Sequence, residues 1–180
     1  MLPPGHIAAG FLTAEALLKI THPNLTPNQL NQLLFWGAFW GFAPDLDYFY
    51  SFALEKAFTI KDTEKNNHRR FITHAPVVWL TAGLLIFFLA TSPFWKTFGL
   101  LVWLGSWSHF LLDSIEYGVI WLWPLSKKKY AFKHVESFNI TKRGFFAYWW
   151  EFVKLYTKAI TFYAEIIILV SAFIIYLTNH

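Results

Sequence analysis

The chain has 180 residues, 56% of them hydrophobic and 21% aromatic, with 14% charged and a formal net charge of +4. Soluble domains carry roughly 25% charged residues, so this composition, with ten Trp, points to a bilayer whose headgroup belts favour Trp and Tyr. The absence of cysteine excludes disulfides, thiolate metal ligands and a cysteine nucleophile.

The first twelve residues, "MLPPGHIAAGFL", lack the basic start of a signal peptide, and Glu15 interrupts the apolar run that follows. The first helix is predicted from about Gly5 to Ile20. "THPNLTPNQ" reads as a loop, with two prolines and two asparagines. A second helix runs from about Gln29 to Ala43 and stops at "PDLD"; its Gly37 and Gly41 form a GxxxG pair suited to close packing. "YFYSFALEKAF" is amphipathic and aromatic, as an interfacial helix would be, and "TIKDTEKNNHRR" is a polar loop. The third helix begins near Thr73 and runs through "HAPVVWLTAGLLIFFLAT"; "SPFWK" turns the chain, and the fourth runs from about Phe94 through Asp113 to roughly Tyr117. A second basic loop, "PLSKKKYAFKHVESFNITKRG", leads to a last segment, Phe145 to Leu177, with an interfacial start and then a span. No repeat or dividing linker interrupts this order. The expectation is one integral-membrane domain over residues 1–180, an all-α, multi-pass transmembrane bundle of about four to five helices. Helices 1 and 2 fall short of the roughly 20 apolar residues a span needs.

Threading these helices through a bilayer puts the start of helix 1, the end of helix 2, the start of helix 3 and the end of helix 4 on one side. Of the fifteen Lys and Arg, five lie between 55 and 70 and six between 127 and 143, on that same side, while Lys19 and Lys96 lie opposite. By the positive-inside rule that side is cytoplasmic. The basic segments suit an anionic membrane surface; they lack the stacking aromatics of a nucleic-acid site, and no nucleic-acid partner is expected.

The unusual polar residues converge there. His109 and Asp113 in "SHFLLD" are four apart and share a helix face, and ionisable groups inside an apolar helix face a partner or a wet cavity. "PDLD" offers Asp45 and Asp47, which a capping turn would equally favour. "NHRRFITH" offers His68 and His74, with Arg69 and Arg70 between them, and the pair of arginines also suits a plain positive-inside loop. His6 lies at the start of helix 1. Neutral His and carboxylate are ligands for zinc, manganese or iron. Asp45, Asp47, His6, His68, His74, His109 and Asp113 exceed what one zinc takes, so one or two divalent ions are expected, zinc foremost, with some of these residues orienting ligands instead of binding.

"GH" at 5–6, "PDLD", "HRRFITH" and "SHFLLD" followed by "GVIWLWP" together resemble the YdjM-like membrane-bound, metal-dependent hydrolases, whose motifs occur in this order. A looser similarity, in the order Asp, His, HxxxD, runs to the zinc-dependent phospholipase C family. The YdjM-like resemblance covers residues 5 to about 125. Tyr48 stands where that family usually has His, and Asn67, Arg70 and Ala75 also depart from its pattern; these changes spare the ligand types. The resemblance implies a metal-activated water that attacks an ester or phosphoester, with Asp47 or Asp113 taking the proton and Arg69 and Arg70 holding a phosphate. Trp121, Trp123 and Lys127 to Lys129 would rim the site for a phospholipid or other anionic lipid-linked substrate. No GxSxG occurs, so a serine-hydrolase elbow is unsupported. Two readings stand beside it: a divalent-metal or proton transporter, to which Glu165 would contribute, and a non-catalytic membrane scaffold.

Overall fold

The computed structural model describes residues 1–55, 68–133, 135, 140 and 144–179, with the side chains of Phe52, Leu54, Glu55 and His68 outside that description. Much of both predicted basic loops, including Lys56, Lys61, Lys65, Lys142 and Arg143, lies outside the described residues.

Among the described residues there are seven α-helices: α1 (Pro3–Thr21), α2 (Pro27–Phe42), α3 (Asp47–Glu55), α4 (Pro76–Leu89), α5 (Pro93–Asp113), α6 (Phe145–Tyr156) and α7 (Ile160–Asn179). Short 3-10 turns occupy Ala43–Leu46, His68–Arg70 and Ile72–His74. The expected bundle of four to five helices corresponds to the five longer ones, α1, α2, α4, α5 and α7. One helix, α7, is both long and apolar enough to cross a membrane, and α4 is a shorter apolar helix. The 20 residues of α7 extend about 30 Å at 1.5 Å per residue, the thickness of a bilayer's hydrocarbon core.

Prolines start the helices. Pro3, Pro27, Pro76 and Pro93 each occupy the first helical position, where the missing N–H costs nothing and the fixed φ suits the helix. Thr26 and Gln29 add a reciprocal capping box to α2, and Ser92 caps α5 through the Trp95 amide. Two sequence expectations shift for this reason. Helix α2 starts at Pro27, before Gln29. Helix α4 starts at Pro76, after Thr73, because a residue preceding proline is driven to extended backbone; Ala75 has φ −94° and ψ 109°, and His74 therefore ends a 3-10 turn outside the helix.

The bundle packs α1 on α2, α4 on α5, α5 against both α1 and α2, and α7 against α1. The GxxxG pair of α2 meets α1 backbone to backbone. A Cβ on Gly41 would stand 2.3 Å from the His6 carbonyl oxygen, and one on Gly10 would stand 2.2 Å from that of Gly37. Farther along the same helices, Ala14, Leu33, Leu34 and Leu101 form the buried apolar core, flanked by Phe11, Trp40 and Phe98.

Beyond α5, the backbone of 114–119 is tied to 130–135: Val119 and Tyr130 exchange N–H···O bonds of 3.1 and 2.9 Å, and the Phe132 amide donates to Ser114 O at 2.8 Å. This holds Glu116 against the head of α7. Its carboxylate accepts from the Ile160 and Thr161 amides, each at 3.1 Å, and from Thr161 Oγ1 at 2.7 Å. Burial opposes ionisation of Glu116, but these hydrogen bonds outweigh it and hold the carboxyl below its ordinary value.

Replacing Gly41 by Val forces α1 and α2 apart. Overpacking of this kind costs roughly 1–3 kcal/mol, so Gly41→Val is expected to lower the thermal unfolding midpoint of the detergent-purified protein; an unchanged midpoint would show that the helices do not approach this closely.

Candidate metal centre

Helices α1 and α5 and the 3-10 turn that follows α2 each place an ionisable side chain four residues from the glycine contact. His6 lies four residues before Gly10 on α1, Asp45 four after Gly41 at the end of α2, and His109 four after Gly105 on α5. Gly105 itself packs on α2, where a Cβ would lie 3.3 Å from the Gly37 carbonyl oxygen. The glycines let the backbones approach, and residues one turn away point into the same space. Of these glycines, only Gly37 and Gly41 stand out as a sequence motif; the four-residue spacing from glycine to ligand type is the sequence signal that the others carry.

The geometry is tight. The Nε2 atoms of His74 and His109 each lie 3.6 Å from Asp45 Oδ1. His6 Nε2 lies 3.4 Å from Asp113 Oδ1 and 3.9 Å from Asp45 Oδ2, and His109 Nε2 lies 3.9 Å from Asp113 Oδ2. The His6 and His109 rings stack with centroids 3.8 Å apart. Each of these five residues is at most 3% exposed, so the cluster is shut off from solvent within the bundle.

Two of the imidazoles have a fixed orientation. His109 Nδ1 donates to the Gly41 carbonyl at 3.0 Å. His74 Nδ1 donates to Asp47 Oδ2 at 2.8 Å, and Thr73 Oγ1 donates to the same oxygen at 2.5 Å. Both rings therefore turn Nε2 toward Asp45, with the far nitrogen held by a carbonyl or a carboxylate. That is the arrangement by which proteins orient metal-binding histidines. Asp47 acts here on His74, from outside the cluster.

The donor set fits a divalent cation. Among the described residues, His109 Nε2 and both ring nitrogens of His6 are buried and make no hydrogen bond, a costly state for an imidazole that has nothing to bind. Two ligand atoms about 2.1 Å from a tetrahedral zinc stand about 3.4 Å apart, close to the 3.4–3.9 Å separations between these side chains. Three overlapping groups could hold an ion: His6 with Asp45 and His109, His74 with His109 and Asp113, and Asp45 with Asp47 and His74. Nitrogen and carboxylate donors without sulfur suit zinc, manganese or iron.

The electrostatics follow from the crowding. Burial opposes ionisation of Asp45, but His109, His74 and His6 outweigh it and hold its carboxyl below the usual range. Burial likewise disfavours a charged His74, yet Asp45 and Asp47 overcome it and lift the imidazole to about 9. A cation bound at His74 Nε2 would displace a proton from that ring.

The arginines divide. Arg69 is buried, its Nε donating to Asp113 Oδ2 at 3.1 Å and its guanidinium 4.5 Å over the Tyr117 ring. The Met1 amino group also reaches Asp113, 2.9 Å from Oδ1. Arg70 is exposed and is not brought into the cluster. His68 begins the 3-10 turn before Arg69, and its side chain lies outside the described residues. Trp121 donates to Ser114 Oγ at 2.8 Å, and Lys127 and Lys128 are exposed.

Residues that orient a ligand histidine typically contribute 10- to 100-fold to metal affinity. Asp47→Ala is therefore expected to weaken divalent-metal binding by roughly that factor in a competition titration, with the fold retained; wild-type affinity would remove Asp47 from this role.

The family model described as YdjM inner membrane protein matches residues 1–180. No curated protein and no solved structure matches the chain. The motifs "GH", "PDLD", "HRRFITH" and "SHFLLD" thus fall within a match that runs well past them into α6 and α7, and on that match the chain belongs to the YdjM inner membrane protein family.

Proposed function

We propose that this member of the family is a multi-pass, membrane-bound hydrolase that uses a divalent metal, zinc foremost, to cleave an ester or phosphoester at the cytoplasmic face of the membrane. One observation carries the reading: the Nε2 atoms of His74 and His109 face one oxygen of Asp45 at equal 3.6 Å distances, with the second nitrogen of each ring already held. Those three side chains would hold the ion. A metal in such a site supplies a water acidic enough to act as a nucleophile near neutral pH and polarises the bound ester.

The chain's own residues divide the remaining work. His6 and Asp113, with Nε2 and Oδ1 3.4 Å apart beside the three ligands, are the pair on which we place proton transfer. Arg69 fixes Asp113 through its Nε, so its role is to orient the carboxylate, and the phosphate-clamping role expected of Arg69 with Arg70 loses its geometry. Asp47 is engaged by His74 and Thr73, so we place the orienting of His74 on it and proton transfer on Asp113 with His6. The groups are little exposed, and charges interact more strongly in such an environment than in bulk solvent.

The outward surface supports the membrane setting. Large apolar side chains face outward on several helices, among them Phe35, Leu85, Phe88, Trp95, Leu111 and Phe173, an exposure that suits lipid contact. The chemistry of a site at the membrane face suits a phospholipid or another anionic lipid-linked substrate. A transporter would need ligands continuing across the bundle. Glu165, the residue best placed by sequence to supply one, is instead engaged at the head of α1, where Gly5 N–H donates to it at 3.0 Å.

The test is an activity assay on detergent-purified protein with anionic phospholipid vesicles and a chromogenic phosphodiester. Chelation is expected to abolish turnover and zinc or manganese to restore it. His109→Ala should lose both metal and activity, whereas His6→Ala should keep metal and lose at least a hundredfold in rate, the lower end for a proton-transfer group. Metal uptake into proteoliposomes without hydrolysis would overturn the proposal in favour of transport.

A further inference from the structure

Helix α1 has no cap of its own. Its N-cap is Leu2, no side chain caps it, and its first turn holds no acidic residue. Pro3 and Pro4 remove two of the amide donors that would need satisfying, and the remaining positive end is met from the far end of the chain. Glu165 of α7 accepts from the Gly5 amide at 3.0 Å through Oε1 and from the Leu2 amide at 3.4 Å through Oε2. Tyr156, at the end of α6, donates its hydroxyl to Glu165 Oε2. A carboxylate there also opposes the helix dipole. Glu165 and Thr161 are the two buried residues of α7, four apart on one face, and Thr161 is the residue gripped by Glu116.

These contacts close a ring. Glu116, three residues after Asp113, holds the head of α7. Glu165 of α7 holds the head of α1. His6, the residue after Gly5, returns to α5 through Asp113 and through its stack on His109. The His6 ring is met by Asp113 at 3.4 Å and by the His109 ring, and it can make both contacts only where the backbone at the head of α1 puts it.

We propose that Glu165, with Tyr156 behind it, is a positioning residue for His6, so that the C-terminal α6–α7 segment, which carries none of the ligand motifs, sets the geometry of the candidate metal centre from outside it. The importance of His6 rests on the proposed function; the positioning itself does not need a metal.

The test exploits the burial of His6, His74 and His109, all at 0% exposure. Full-length protein in detergent is treated with diethyl pyrocarbonate, which acylates accessible imidazoles, and each histidine is followed by peptide mass spectrometry, with chelator and with zinc. In wild type all three are expected to be protected. In Glu165→Ala the modification rate of His6 should rise at least tenfold in the chelated protein, while His74 and His109 stay protected. Glu165→Gln, which keeps an acceptor, should give a smaller rise, as should Tyr156→Phe. Gly83→Ala, which strains the α4–α5 contact, controls for general loosening and should not expose His6 selectively.

Should Glu165→Ala fail to fold, Glu165→Gln and Tyr156→Phe carry the test. His6 protected at the wild-type rate in the folded variants, or all three histidines exposed together, would overturn the proposal. Zinc titration of the same samples separates the two claims: a wild type that takes up no metal strikes at the proposed function, and the chelated samples still decide the positioning.

Discussion

The arrangement depends on helix backbones that touch. At Gly10, Gly37 and Gly41 there is no room for a Cβ without displacing a neighbour, and at Gly105 the fit is tight; this approach lets short side chains from α1, α5 and the turn after α2 meet four residues farther on. Asp45 has reach enough to face His109 and His6 only because the helices carrying all three are this close. The 3-10 turn before α4 then brings His74 into the same space, held there by Asp47. A larger residue at any of these glycines would separate the ligand types before any of them changed.

Burying so many ionisable groups needs compensation, since an uncompensated charge inside a protein costs several kcal/mol. The compensation is mutual. Asp113 is met by Arg69 and by the Met1 amino group, Asp47 by His74 and Thr73, and Asp45 by the imidazoles around it. Within the cluster, Nε2 of His109 and both nitrogens of His6 make no hydrogen bond, and elsewhere among the described residues Asp47 Oδ1 and the indole N–H groups of Trp40, Trp103 and Trp149 are in the same state. A purely structural polar network would be expected to satisfy the imidazoles. Lone pairs left facing two carboxylates are what a cation would complete. Elsewhere the buried carboxylates Glu116 and Glu165 are spent on helix heads, which separates their task from that of the cluster.

Much of this was legible in the sequence because it follows from local chemistry. The order of helices, the GxxxG contact of Gly37 and Gly41, and the meeting of "GH", "PDLD", "FITH" and "SHFLLD" at one end of the bundle all come from apolar runs and their breaks. The starts of α2 and α4 differ from expectation for one reason: Pro27 belongs to the helix and not to the loop before it, and Pro76 begins its helix where the sequence suggests a start near Thr73. The division of roles was not legible. Asp45 and Asp47 are equivalent in a linear motif, and only packing decides that one faces the imidazoles while the other turns to His74 and Thr73. Arg69 and Arg70 are adjacent, yet one is buried on Asp113 and the other is exposed. Glu165 could be seen as an odd charge in an apolar helix, but its partner, the amide of Gly5, is 160 residues away, and no local pattern links them.

The proposed divalent ion would sit on imidazole and carboxylate among these helices, in a member of the YdjM inner membrane protein family. X-ray absorption of the detergent-purified protein at the metal edge tests this most directly. The expected result is a bound divalent ion with nitrogen and oxygen ligands only, at about 2.0–2.2 Å for zinc, and loss of that ion and its imidazole signature in His109→Ala. A wild-type protein that holds no ion after exposure to zinc, manganese or iron, or a spectrum unchanged by His109→Ala, would contradict it.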